Sequence, residues 1–255
     1  MKNILTGFML TWQFFTVIPI KKAFTMNEKS VTWMFGWLAV IGAISGGFVA
    51  LFSELLALTD FNLLLQAILL LVFSIFLTGG LHLDGFVDMS DAFFSYADKE
   101  KRLAILDDPR IGAFGAISVI CLLLVKVGIL YEVLFHRETL FTYFILVMFL
   151  SRLAVQLFFN SSSPSKEQGL GAYFKKQVHA KTLWGLILLY AIGLVVYSFI
   201  AATWIPVVML VVMLLGTFLF KLWTLKHFGG MSGDLMGALS EVMEVLLWMS
   251  VLFCI

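Results

Sequence analysis

Three aspartates with the spacing of one helix face are the first candidates for chemistry. Asp84, Asp88 and Asp91 stand at i, i+4 and i+7, so a helix carries all three carboxylates on one side. Carboxylates this close repel one another unless solvent, cationic side chains or a bound cation compensates them. Oxygen ligands suit Mg²⁺ or Mn²⁺ better than zinc. The spacing predicts a divalent metal site, with a solvated acidic loop as the alternative.

The residues around these aspartates add groups that bind phosphate or move a proton. Gly79 and Gly80 favour a helix break that leaves backbone N–H groups open toward a ligand. His82 is a candidate base or phosphate donor, with a structural hydrogen-bonding role as the alternative. Arg110 has the fork geometry that clamps phosphate. Asp108 adds a carboxylate that we expect to bind the metal or a metal ligand.

A second acidic face lies near the C-terminal end. Its positions i, i+3, i+4 and i+7 are Asp234, Gly237, Ala238 and Glu241, and Glu244 lies one turn further. Carboxylates inside a membrane span are costly unless they are paired or wet, which makes them functional candidates. Their natural partners are Lys126 and Arg152, the basic residues inside apolar runs. We expect Asp234 and Glu241 to join the catalytic site; the alternative is a structural ion-pair network.

The composition is that of a polytopic membrane protein. Of 255 residues, 61% are hydrophobic and only 13% are charged, which is too apolar for a soluble domain. The net charge of +1 provides no basic field for nucleic acid. Cys121 and Cys254 lie in apolar runs and indicate neither a disulfide nor a thiolate metal site.

Hydropathy predicts an all-α membrane bundle of about seven transmembrane helices, forming a single catalytic domain over 1–255. The stretch 4–20 is interrupted by Gln13 and Pro19, and we expect a retained interfacial or re-entrant helix there. Glycines in the first span predict close helix contacts. The predicted spans are 31–58, 61–81, 111–135, 139–159, 182–202, 204–219 and 235–255.

Basic residues near the ends of the predicted spans indicate the orientation. Fourteen lie on one side if that side holds the N-terminus and the loops 84–110, 160–181 and 221–234, whereas only Arg137 lies on the other. This bias predicts that the loops and the acidic stretch are cytoplasmic. The fourteen are Lys2, Lys21, Lys22, Lys29, Lys99, Lys101, Arg102, Arg110, Lys166, Lys175, Lys176, Lys181, Lys221 and Lys226.

Five short stretches, taken together, resemble the signatures of one enzyme family. They are G-G-L-H-L-D-G-F-V-D-M-S-D at 79–91, D-P-R-I-G-A-F-G at 108–115, S-R at 151–152, E-Q-G-L-G at 167–171 and G-G-M-S-G-D-L-M-G-A-L-S-E-V-M-E at 229–244. The sequence resembles the cobalamin synthase family, the adenosylcobinamide-GDP ribazoletransferases, over essentially its whole length. Val17 departs from that pattern, because an arginine usually stands there and the expected cation is lost.

The resemblance implies a reaction and its partners. The 5′-phosphate or hydroxyl of α-ribazole attacks the pyrophosphate of adenosylcobinamide-GDP, releasing GMP and requiring Mg²⁺. The implied setting is a prokaryotic cell membrane with the active face in the cytoplasm. The partners are these small molecules and the lipid bilayer, without nucleic acid, and a homo-oligomer is compatible. The residues leave open the form of the acceptor and its lower base.

The residues and the resemblance together give three sets of candidates. The catalytic candidates are His82, Asp84, Asp91, Arg110, Asp234 and Glu241. The metal candidates are Asp84, Asp88, Asp91 and Asp108. The substrate-binding candidates are Gly79, Gly80, Arg110, Arg152, Lys166, Gly169, Gly171, Gly229, Gly230 and Ser232.

Two other functions remain as alternatives. The aspartate spacing is also similar to that of CDP-alcohol phosphotransferases, but Asp88 and Met89 stand where that family has alanine and arginine. A divalent cation transporter calls for carboxylates near mid-membrane and for repeated halves. Here the acidic residues cluster at one predicted face, and the sequence has no internal repeat.

Overall fold

The computed structural model describes residues 2–96, 98–136 and 140–255. Within these ranges the chain forms twelve α-helices and no β-sheet, which confirms the predicted all-α fold. The helices are α1 Lys2–Phe15, α2 Glu28–Gly36, α3 Leu38–Ala57, α4 Leu63–Thr78, α5 Leu81–Phe94, α6 Lys99–Ile105, α7 Ala113–Val133, α8 Leu140–Ser161, α9 Leu170–Gln177, α10 Ala180–Ile200, α11 Ile205–His227 and α12 Gly233–Leu252.

The long apolar helices agree with a multi-pass membrane protein. Among the described residues, α3, α7, α8, α10, α11 and α12 are each long and apolar enough to cross a bilayer. Helices α4 and α5 pass the same test only as a pair and meet at an angle of 93°. The part of the chain that the structure describes therefore has six candidate spans, or seven if the bent pair counts as one. Helix α1 has 14 residues, about 21 Å at 1.5 Å per residue, which is shorter than the hydrocarbon core.

Two predicted boundaries differ from the structure. The predicted span 31–58 is interrupted at Trp37, and its first part, α2, begins earlier because Asn27 and Ser30 form a capping box. Helix α11 continues eight residues beyond the predicted end at 219, because lysine is a good helix former and the chain turns only at Gly229. Lys221 is therefore helical. The predictions that involve Arg137 and Thr139 lie outside the described residues.

Helix α8 is the centre of the bundle and packs against α3, α10, α11 and α12. On α3, Gly42 and Gly46 lie so close to the backbone at Met148 and Phe144 of α8 that no side chain fits between them. This contact confirms the predicted role of small residues in the first span.

The predicted loops of the active face lie together. The backbone N–H of Ser165 donates to the carbonyl of Met231 over 2.8 Å, and the N–H of Met231 donates to the carbonyl of Ser163 over 2.9 Å. The Nζ atom of Lys166 lies 2.5 Å from Oδ2 of Asp107. The loops at 84–110, 160–181 and 228–232 thus form one surface. The S-R motif at 151–152 lies apart from it, inside α8.

Single-cysteine labelling tests this arrangement across the membrane. In a background without Cys121 and Cys254, we expect Ser163→Cys to react with an impermeant maleimide only after the cells are opened. We expect Thr203→Cys, in the turn between α10 and α11, to react in intact cells. Labelling of position 163 from outside intact cells contradicts the topology.

Candidate active site

The candidate site begins at a sharp break between α4 and α5. Gly79 and Gly80 have φ angles of 65° and 75°, which only glycine adopts readily. Their N–H groups donate to the carbonyls of Phe76 and Ile75, each over 3.1 Å, so α4 ends in a Schellman motif. The predicted break is confirmed. The same bonds occupy the N–H groups of Gly79 and Gly80 themselves, and the expected contact of backbone N–H groups at this break with a ligand stays a prediction.

Helix α5 leaves the break and crosses α12 at unusually short range. A side chain at Gly85 would lie within 3 Å of the backbone of Asp234, and one at Gly237 would contact the backbone of His82. Glycines on both sides thus let the two helix backbones approach directly. This crossing brings the first acidic face, on α5, against the start of the second, on α12.

The three aspartates of α5 have different surroundings. Asp84 is exposed, Asp88 is half-buried and Asp91 is buried. The two carboxylate oxygens of Asp91 accept hydrogen bonds from the N–H groups of Gly112 and Gly115, over 2.7 and 2.8 Å. Asp91 therefore binds the N-terminal end of α7, where the exposed N–H groups favour a negative charge. That contact accounts for its burial without a metal, and its predicted metal role stays a prediction.

Asp84, Asp88 and Asp234 form the carboxylate cluster at the crossing. Asp88 is subject to the negative charges of both Asp84 and Asp234. No lysine or arginine among the described residues forms an ion pair with any of the three. The nearest polar partner of Asp234 is the Ser232 hydroxyl, 3.4 Å away. No lysine or arginine in the described part of the chain compensates these charges, so solvent or a bound cation has to do so. No three His, Cys, Asp or Glu side chains there have the arrangement of a metal site, and the predicted metal role stays a prediction.

The deeper carboxylates of α12 are fully paired. Lys126 of α7 lies 2.5 Å from Glu241 and 2.7 Å from Glu244, and Arg152 of α8 lies 2.8 Å from Glu244. Arg152 also donates to the hydroxyl of Ser240. All four charged side chains are buried. The predicted partners are confirmed, and the network joins α7, α8 and α12 inside the bundle.

Arg110 and Asp108 form a surface ion pair, with 2.6 Å between Nη2 and Oδ2. The Arg110 side chain is 86% exposed. Hydrogen bonds from Arg110 lower the pKa of Asp108 to about 2, so this carboxylate remains ionised at neutral pH. In this pair the side chain of Arg110 faces Asp108, two residues earlier in the chain. The predicted contact of Arg110 with phosphate stays a prediction.

Two cavities meet at Asp234. One, of about 170 Å³, is mainly apolar and also has His82 and Asp84 in its wall. The other, of about 240 Å³, is more polar and has Lys166 and Ser232 in its wall. The residues common to both walls are Leu170, Gly171, Gly233 and Asp234. An acidic side chain thus lies at the junction of an apolar and a polar compartment.

Besides Gly79, Gly80 and Arg110, which are described above, the seven other predicted substrate-binding residues separate into three groups. Gly169 has a φ angle of 109° and lines the polar cavity together with Gly171, Lys166 and Ser232. Gly229 and Gly230 shape the neighbouring turn, where φ is 81° and 156°. Arg152 lies in the buried ion-pair network and lines neither cavity.

Sequence reasoning missed residues that have no chemical signature. Gly85 is one of 20 glycines, and Phe14, Phe15 and Phe174 are among 26 phenylalanines. Only the fold shows that these residues lie beside the carboxylate cluster. Phe174 had one indirect signal, because it lies three residues after the E-Q-G-L-G motif.

Comparisons with known proteins agree along nearly the whole chain. The family model described as cobalamin-5-phosphate synthase matches residues 7–252. The adenosylcobinamide-GDP ribazoletransferase of Geobacillus thermodenitrificans (strain NG80-2) is 35% identical over 251 residues, covering 97% of this chain and 95% of that protein. The proteins of the same name from Halalkalibacterium halodurans and Clostridium botulinum (strain 657 / Type Ba4) are 34% and 33% identical, covering at least 96% of this chain and 95% of each protein. No solved structure matches the chain significantly.

The close helix crossing predicts that a methyl group at Gly85 destabilises the fold. We expect Gly85→Ala to lower the free energy of unfolding by about 1–3 kcal/mol, because the helix backbones have to separate. The matched control is Gly128→Ala on α7, where an added methyl group contacts nothing within 4 Å. Thermal unfolding of the purified variants measures the difference. Equal stability of the two variants contradicts the close crossing.

Because Glu241 forms a buried ion pair with Lys126, we expect its role to be structural. We expect Glu241→Gln to lower the free energy of unfolding by about 1–3 kcal/mol, because Lys126 loses one of its two buried partners. The specific activity of the folded fraction should stay within about threefold, since Glu241 lines neither cavity. Glu54→Gln, at an exposed position of α3, is the control. Normal stability with activity reduced about a hundredfold would assign Glu241 to catalysis instead.

Proposed function

The chain belongs to the cobalamin-5-phosphate synthase family, and from this premise we propose that it is an adenosylcobinamide-GDP ribazoletransferase. The observation that carries the proposal is the cluster of Asp84, Asp88 and Asp234, which forms no ion pair with a lysine or arginine among the described residues. Asp234 lines both the apolar and the polar cavity, and Asp84 lines the apolar one. A transfer between an aromatic nucleoside and a diphosphate needs both kinds of compartment. The family membership favours this enzyme over a CDP-alcohol phosphotransferase or a cation transporter.

The proposed reaction exchanges one phosphorus–oxygen bond for another. A ribose hydroxyl of the acceptor, which is α-ribazole or its 5′-phosphate, attacks the phosphorus that is attached to the cobinamide. The new oxygen–phosphorus bond forms as the phosphoanhydride bond breaks, and GMP leaves with the bridging oxygen. The proton of the attacking hydroxyl passes to a base, and a 5′-phosphate on the acceptor stays in the product.

The cavity walls suggest which groups take part. Asp234 lines both cavities, so one of its carboxylate oxygens is the candidate to accept the proton of the attacking hydroxyl, while the other remains for the cation proposed below. Lys166 and Ser232 line the polar cavity, where a cation and a hydroxyl suit the diphosphate of the donor. Asp107 holds Lys166 in position through their 2.5 Å ion pair.

We further propose that Mg²⁺ binds at Asp84, Asp88 and Asp234. The donor set fits a hard cation, because it consists of carboxylate oxygens without a competing lysine or arginine. Among the described residues, no three His, Cys, Asp or Glu side chains already have the arrangement of a metal site, so these carboxylates have to turn toward one another. A bound Mg²⁺ neutralises charge on the diphosphate as GMP leaves.

The remaining predicted metal ligands have other partners. Asp91 accepts two backbone hydrogen bonds from the start of α7, and Asp108 is paired with Arg110. We propose that Asp91 acts on the site by holding α5 against α7. We place the site on the cytoplasmic face, because the loops that form it carry most of the basic residues near the spans.

A direct assay tests the activity. Purified protein in lipid nanodiscs, supplied with adenosylcobinamide-GDP, α-ribazole and Mg²⁺, should form cobalamin and GMP in equal amounts, as measured by mass spectrometry. Removal of the metal with EDTA should abolish product formation, and Mg²⁺ should restore it. No product from folded protein, with either α-ribazole or its 5′-phosphate as acceptor, contradicts the proposed function.

The metal proposal makes a prediction for Asp84. Asp84→Asn keeps the side-chain shape but removes one charge, and we expect turnover to fall about a hundredfold or more, with a higher Mg²⁺ requirement. Asp60→Asn, at an exposed position in the turn between α3 and α4, should leave both quantities unchanged. Wild-type turnover and an unchanged Mg²⁺ requirement in Asp84→Asn would remove this residue from the metal site.

A further inference from the structure

The apolar cavity has a framework of phenylalanine rings. Phe14 and Phe15 come from α1, Phe35 from α2 and Phe174 from α9. Phe174 packs edge-on against both Phe14 and Phe35, with 5.7 Å between ring centroids in each pair. Helices α1 and α2 and the distant helix α9 therefore contribute to one aromatic wall. Such walls favour a flat aromatic ligand, which they contact by stacking or edge-on.

The same cavity also has polar residues in its wall. It contains Asp84, Asp234 and His82. His82 is 3% exposed, and its ring stacks on Phe15 with 6.4 Å between centroids. Its Nδ1 atom has no hydrogen-bond partner in the part of the chain that the structure describes. A buried nitrogen without a partner is unusual in proteins, and a ligand with a ring nitrogen supplies one.

The size of the cavity limits what it holds. Its volume of about 170 Å³ is below the roughly 300–1,000 Å³ of pockets that enclose drug-sized ligands. A two-ring aromatic base is small enough for this space, whereas a corrin macrocycle is too large. Both substrates carry a two-ring base, because the donor contains guanine. Guanine has several polar groups on its edge that need partners, whereas the wall of this cavity is mainly apolar, so the base of the acceptor nucleoside fits it better.

We propose that this cavity binds the aromatic base of the acceptor nucleoside. The inference rests on the proposed function, and it assigns the two cavities to the two substrates. With its base between Phe15 and Phe174, the nucleoside directs its ribose toward Asp84 and Asp234. The attacking oxygen then lies at the junction with the polar cavity, where the diphosphate of the donor binds. Helix α9 begins within the E-Q-G-L-G motif and carries Phe174. It forms the wall between the two substrates.

The test separates binding of the acceptor from binding of the donor. The intrinsic fluorescence of the benzimidazole base reports α-ribazole binding to the purified protein without adenosylcobinamide-GDP. We expect Phe174→Ala to raise the Kd and the KM for α-ribazole about tenfold, the loss expected when an aromatic contact and its buried area are removed. The KM for adenosylcobinamide-GDP should change less than twofold. Phe199→Ala, at a position of α10 that is 82% exposed, should change none of these constants.

A second variant keeps the test decisive if Phe174→Ala does not fold. Phe15→Leu retains an apolar side chain but removes the ring, and we again expect weaker α-ribazole binding with an unchanged KM for the donor. Unchanged α-ribazole binding in folded Phe174→Ala or Phe15→Leu overturns the inference, as does a selective rise in the KM for the donor. Absence of turnover in the wild type contradicts only the proposed reaction, because the binding comparison still decides what the cavity holds.

Discussion

The close crossing of α5 and α12 brings several negatively charged side chains into one region, and the rest of the site depends on this crossing. Gly85 and Gly237 let the two backbones meet, and Asp84, Asp88 and Asp234 then share one region without a cation among the described residues. Folding against such repulsion is costly unless something compensates the charge. The bend at Gly79 and the anchoring of Asp91 to α7 both hold α5 in this unfavourable position. Solvent at the exposed Asp84 supplies part of this compensation, and the proposed Mg²⁺ would supply the rest.

The deeper charges of the same helix show the opposite arrangement. Lys126, Arg152, Glu241 and Glu244 are buried but paired, with contacts of 2.5 to 2.8 Å. Two cations balance two anions, so this network has no charge left for a ligand and serves to join α7, α8 and α12. The carboxylates of α12 thus differ in their charge balance. Glu241 and Glu244 are paired deep in the bundle, whereas Asp234 has no cationic partner among the described residues and lines the two cavities.

Sequence spacing predicted the local features of this site, because helix periodicity and glycine conformation are local properties. The acidic faces of α5 and α12, the break at Gly79 and the partners of Glu241 and Glu244 were all predicted. The sequence did not distinguish Asp91 from Asp84, because only the fold brings the N–H groups of Gly112 and Gly115 to Asp91. Apart from the position of Phe174 shortly after the E-Q-G-L-G motif, it gave no sign of the phenylalanine wall, since hydrophobic residues in a membrane protein look alike whether they face lipid, core or substrate.

Direct metal binding tests the central claim that the uncompensated carboxylates at the crossing hold a divalent cation. Electron paramagnetic resonance of Mn²⁺, titrated into purified protein without substrates, measures the affinity and is independent of turnover. The account predicts saturable binding to the wild type, competition by Mg²⁺, and an affinity at least tenfold lower in Asp88→Asn but not in Asp60→Asn. Equal affinity of the wild type and Asp88→Asn would contradict it.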